Sequence, residues 1–222
     1  MGGSLLMEES KTSGLSIYEL NITMKEVNLK IYAIDELSNE VRDKVIEEYR
    51  DILVNHDWWE PVYEGFREDM LEYGLEGELY FTGFWSQGDG ACFVSDTVDT
   101  DKMVRKLYES GWGIPEDALL YSSDYSINIQ KVSAAFANHY CHAYTIEAVV
   151  YNEGDRISEG DLVKLENVVT EWIRQTCNET YSKLETYYEE LVTDDAILET
   201  IRDNKWMFTE TGLNAQSIVN NF

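Results

Sequence analysis

The stretch Leu79-Tyr80-Phe81-Thr82-Gly83-Phe84-Trp85-Ser86-Gln87-Gly88-Asp89-Gly90-Ala91-Cys92-Phe93-Val94 limits the fold more than any other part of the chain. A dense aromatic run enters a small polar loop, and apolar residues resume straight after it. Gly and Asp accept the positive φ angles that a tight turn needs, and the flanking apolar residues supply strands. The spacing predicts a hairpin at the centre of the fold, with strands over 78–85 and 91–97 joined by the Ser86–Gly90 turn. The aromatic stripe Tyr80, Phe84, Trp85 and Phe93 is expected to enter the core.

Elements on either side can be read from periodicity and capping. Val27 to Ile34 alternates in the manner of a strand, and Leu15 to Leu20 is a second short β-branched run. Ser38 is placed to cap a helix, because its hydroxyl can accept from an otherwise unpaired amide; Val41, Val45, Tyr49 and Ile52/Leu53 extend the apolar stripe. Pro61 suits the first turn of a second helix, with Val62, Phe66, Met70 and Tyr73 inward and Gly74 as its stop. Asp99 or Thr100 opens a third helix with Met103, Val104, Leu107 and Tyr108 inward. Asp124–Val132 and Tyr140–Tyr151 alternate as two antiparallel strands beside the hairpin. Ser158 or Asp161 starts the longest helix, which keeps its apolar spacing to about Val192; Thr193 caps another, and Lys205–Thr209 suits a last strand.

This mixture, without βαβ alternation, predicts an α+β fold: an antiparallel sheet centred on the 79–94 hairpin, helices on one face and a long C-terminal helix. Residues 15–222 are read as one domain. Met1–Gly14, rich in Gly, Ser and Glu with a second Met at position 7, are set aside as a flexible start or an expression scar.

The charge balance bears on function. Asp and Glu number 43 against 17 Lys and Arg, a formal net of −26. Phosphate contacts need Lys and Arg, so direct nucleic-acid binding is disfavoured, and the natural partner is a basic protein. Aromatics at 13% separate the chain from acidic disordered segments, which are poor in them. On the second helix Glu60, Glu64, Glu68 and Glu72 recur at every fourth position, a column of carboxylates about 6 Å apart. That repeat approximates phosphate spacing along one nucleic-acid strand. Arg67 is the cation near enough in sequence to relieve it. Asp69 adds to the same helix, and Glu179, Glu185, Glu189 and Glu190 add to the long one. Trp58 and Trp59 precede the column and suit an exposed anchor, since Trp is enriched among interface hot spots.

Other chemistries fit less well. Ser86, Gln87 and Asp89 could form a polar site on an aromatic platform, which would make the protein an enzyme or small-ligand binder. Ser86 lacks the nucleophile-elbow context, and the loop lacks the Lys of a phosphate cradle. His139, Cys141 and His142 do not share a strand face, and Asp96, Asp99 and Asp101 lack the rest of a calcium loop, so no metal or cofactor is expected. Cys92, Cys141 and Cys177 are read as buried free thiols of a reducing cytoplasm. A further possibility is an assembly protein in which the long helix pairs with its own copy.

Residues 81–93, preceded by a helix opening Asp35-Glu36-Leu37-Ser38, resemble a group of poorly characterised accessory proteins of tailed bacteriophages that share a GFWSQGDGA-type motif, over about residues 31–94. The resemblance implies a phage-encoded protein in the cytoplasm of the infected bacterium. Small acidic proteins of that kind block host-defence proteins of restriction or CRISPR type, by nucleic-acid mimicry or by covering the binding groove. With the carboxylate column, the expectation is a non-enzymatic inhibitor of a basic, nucleic-acid-binding host protein.

Overall fold

A computed structural model describes residues 29–132 and 140–219. The 15–20 run and the start of the 27–34 run lie outside the described residues.

The expected α+β architecture is present. Strands β2 (Leu75–Phe81), β3 (Ala91–Val98), β4 (Tyr125–Lys131) and β5 (Ile146–Asn152) form one antiparallel sheet in that order, each strand beside its neighbour in sequence. The central hairpin pairs Leu79 with Phe93 and Phe81 with Ala91, and an irregularity at 76–78 resets the register toward Leu75–Val98. β4 and β5 pair from Tyr125–Asn152 to Lys131–Ile146.

Capping residues place the helices. Ser38 accepts from the Val41 amide to open α1 (Asn39–Glu48), and Asp99 accepts from Lys102 to open α3 (Thr100–Glu109). Pro61 lies in the first turn of α2 (Glu60–Glu72), and Gly74 follows its end. A short helix, α4 (Glu116–Leu120), was not foreseen. Ser158 caps α5 (Glu159–Leu191), whose 33 residues give a rod about 50 Å long. Thr193 opens α6 (Asp194–Asp203), and α7 (Ala215–Val219) closes the described chain.

Several boundaries differ from expectation for local reasons. α1 ends at Glu48, after which the Arg50, Ile52 and Val54 amides bond only three residues back, as single turns. The Arg50 side chain there donates to the Val192 carbonyl and Asp194, and the Tyr49 ring lies tilted beside Trp206. β2 starts at Leu75, which is fully buried, and stops at Phe81, since Gly83 and Trp85 take positive φ angles. β5 begins only at Ile146, because 143–145 form a turn whose first amides are held by His142 and Thr145. Tyr108, expected inward, is 49% exposed.

The apolar residues divide into two clusters. The larger lies between the sheet, α2, α3 and α5, where Phe93 is fully buried between Phe66 and Trp172, with ring centroids 5.2 and 6.3 Å away. Burying one such ring contributes roughly 1.5–3 kcal/mol. The smaller cluster joins the N-terminal and C-terminal flanks of the described residues: Ile34, Leu37, Val45 and Ile46 meet Ile197, Ile201 and Phe208. There the predicted first and last strands shrink to β1 (Tyr32–Ala33) and β6 (Met207–Phe208), paired with each other and separate from the main sheet.

Candidate functional site

The Thr82–Gly90 loop is held by its own atoms. The Asp89 carboxylate accepts from the Ser86 amide at 2.9 Å, and the Asp89 amide donates to the Ser86 carbonyl at 3.1 Å. Asp89 is therefore the staple of the turn. The loop is also bonded to the residues that precede β5, through the Cys141 amide and the Gly88 carbonyl at 3.1 Å. A Cβ at Gly88 would overlap the Tyr140 ring, and one at Gly90 would lie 2.5 Å from the Cys141 carbonyl oxygen. These glycines are required by close approach as much as by their turn. Ser86 and Gln87 project into solvent.

The two candidate tryptophan environments are exchanged relative to expectation. Trp58, read as an exposed anchor, is 8% exposed and sits edge-on to Trp59, Phe81 and Tyr188 where α2, the hairpin and α5 meet. Trp59 is half-buried beside it. Trp85, read as core, is 73% exposed and holds a left-handed backbone at φ 66°. Its ring rests against Phe84 and Tyr188 at 5.3 and 5.9 Å, so one face stays open. Bulky residues rarely adopt that conformation, and none of the strand periodicity around Trp85 signals it.

The carboxylate column is on the surface as predicted, but its charge is unevenly compensated. Glu60 accepts from both terminal nitrogens of Arg67 at 3.0 Å. Glu72 pairs with Lys106 of α3 at 2.9 Å, and that hydrogen bond holds its carboxyl below the usual range. Asp69 meets Lys183 of α5 at 3.4 Å. Arg67 is thus joined by two lysines that linear spacing could not show. Glu64 and Glu68 have no ion-pair partner among the described residues, so the middle of the column is the uncompensated part.

The acidic surface continues across α5. Asp69 and Glu72 share a groove of about 440 Å³ with Lys106, Trp172 and Glu179. Glu179 also borders a second groove of about 510 Å³, lined further by Lys183, Thr186, Tyr187 and Glu190. Carboxylates from two helices therefore border adjoining grooves. Such a surface can bind cationic side chains.

A family model described as Domain of unknown function (DUF8835) matches residues 58–194, more than half of the chain. The chain belongs to the DUF8835 family. No curated protein and no solved structure matches it. The DUF8835 span coincides with the larger cluster, which runs from Trp58 to Leu184, and includes α2, the hairpin and the acidic grooves. Every buried member of the smaller cluster lies outside that span. The family portion therefore carries the sheet and the candidate surface, and the flanks close on a core of their own.

Among the described residues no three His, Cys, Asp or Glu side chains are grouped to hold a metal ion. His139 lies outside the described residues. His142 accepts from the Tyr144 amide, and Cys141 faces Cys92. Asp99 is a helix cap, and Asp101 binds Arg105 and the Ser122 hydroxyl. No described helix is long and apolar enough to cross a membrane.

Proposed function

We propose that this DUF8835 protein is a non-enzymatic binding protein whose acidic α2–α5 surface occupies the nucleic-acid-binding groove of a basic protein. In the finer form of the proposal it is a phage-encoded inhibitor of a host-defence protein of restriction or CRISPR type, acting in the cytoplasm of the infected bacterium. The observation that carries the reading is the exposed, uncompensated pair Glu64 and Glu68, one helical turn apart, on the same helix as the groove-lining Asp69 and Glu72. The rival reading, a small-ligand or catalytic site at Ser86–Gly90, loses support because the Asp89 carboxylate is engaged within the turn.

Because exposed charges are screened over about 8 Å at physiological ionic strength, binding through this face is salt-sensitive. The immobilised chain, exposed to lysate of the bacterial host, is expected to retain a basic nucleic-acid-binding protein at low salt. High salt or added duplex DNA should release it, and the Glu64→Lys/Glu68→Lys variant should fail to capture it. Retention that ignores DNA and survives the charge reversal would overturn the proposal.

A further inference from the structure

Cys92 is the second residue of β3, at the loop end of the hairpin's second strand, and Cys141 lies in the segment before β5, 49 residues later. Both are buried, at 0% and 4% exposure, and their sulfurs stand 2.8 Å apart. Nonbonded heavy atoms settle at roughly 3.5–4.0 Å, and a disulfide bond is about 2.05 Å long. The two thiols therefore sit well inside ordinary contact, and the closure still needed is smaller than a bond length. Cys141 is already tied to the hairpin at this point: its amide donates to the Gly88 carbonyl, and its thiol to the carbonyl of Tyr80, the residue paired with Cys92, at 3.1 Å. We propose that Cys92 and Cys141 are an oxidative modification site, converted by a small hydroperoxide into a reversible disulfide that fastens the hairpin to the β4–β5 connection.

The surroundings assign the roles. The hydrogen-bond contact with the Cys141 sulfur favours negative charge on Cys92, as do the Thr145 hydroxyl and the Lys131 ammonium, so the Cys92 thiol is acidified against its burial. The same pairing and burial push the Cys141 thiol up. Cys92 is the attacking thiolate and Cys141 the resolving thiol. The Cys92 sulfur attacks one peroxide oxygen and the O–O bond breaks. Cys92 becomes a sulfenic acid, and the other oxygen leaves as water or an alcohol. The Cys141 sulfur then attacks the Cys92 sulfur, displacing hydroxide, which departs as water with the Cys141 proton. The peroxide gains two electrons and the thiol pair loses two. Cys177 is buried too, and desolvation pushes its pKa up to about 12, so it stays a thiol.

The test treats the full chain with hydrogen peroxide, then denatures and alkylates it. The expected product carries one alkyl group, on Cys177, together with a cross-linked Cys92–Cys141 peptide, and dithiothreitol restores all three sites. In Cys141→Ser, dimedone should trap a sulfenic acid on Cys92. Three alkylated cysteines after peroxide would overturn the proposal. So would sulfinic or sulfonic acid on Cys92 without the cross-link, a cross-link to Cys177, or a dimedone adduct confined to Cys177.

Discussion

Trp58→Ala tests the exchange of tryptophan roles most directly. The indole lies 5.3–6.4 Å, centroid to centroid, from Trp59, Phe81, Phe84, Tyr187 and Tyr188, and is 8% exposed. It is the common neighbour of α2, the hairpin and α5, so truncation opens a cavity that three elements would have to close together. Core Trp→Ala changes cost roughly 3–5 kcal/mol, a large part of the roughly 5–15 kcal/mol that holds a typical domain. With a urea dependence of about 2–3 kcal/mol per molar, the unfolding midpoint should fall by about 1–2.5 M. Far-UV circular dichroism is the suitable probe, because the substitution removes a fluorophore. Trp85→Ala is the internal control: its ring is mostly in solvent, so the midpoint should move by no more than about 0.5 kcal/mol equivalent. A Trp85→Ala loss equal to or greater than that of Trp58→Ala would refute the assignment of Trp58 to the core.

Trp85→Gly should raise stability by about 1 kcal/mol, since glycine holds a left-handed backbone without steric cost; thermal unfolding would show it. Gly90→Ala should lower stability by about 1–3 kcal/mol, because its methyl group would press on the Cys141 carbonyl and His142, and the loss would appear in the same melts. The Arg156 guanidinium bonds the Asp124 carboxylate, including Nε to Oδ2 at 2.7 Å, and holds the Asp124 carboxyl below its ordinary 3.8. A depressed folded pKa contributes stability that is complete above the ordinary value and is lost as pH falls through the folded one. Arg156→Met should therefore flatten the acid limb of a stability–pH profile below about pH 4 and leave its slope near neutrality unchanged.

Local chemistry was legible in residue order. Ser38, Asp99, Ser158 and Thr193 are all observed caps, because a cap bonds an amide only three residues away. Tyr125, Ile127 and Ile129 alternate inward as read, since strand geometry sends every second side chain to one face. The β2–β3 hairpin followed from its glycines and flanking apolar runs. The acidic face of α2 was also visible, because helical spacing alone puts Glu60, Glu64, Glu68 and Glu72 in line.

Beyond the order of the sheet, residue order left open how distant segments compensate, bury and pair one another's side chains. Lys106 and Lys183 reach Glu72 and Asp69 from other helices, so only folding reveals that Glu64 and Glu68 remain uncompensated. Residues 32–46 and 197–208 make a core of their own where β1 pairs with β6, a closure that no local window contains. Trp58 and Trp85 have similar aromatic neighbourhoods in sequence; the convergence of three elements buries one, and a left-handed backbone turns the other outward. Cys92 and Cys141 looked like unrelated thiols until residues 140–142 met the hairpin loop. Short-range bonding and periodicity, set by residue type, determined the elements, whereas burial, charge compensation and sulfur pairing depend on which surfaces meet, and the tertiary structure decided those.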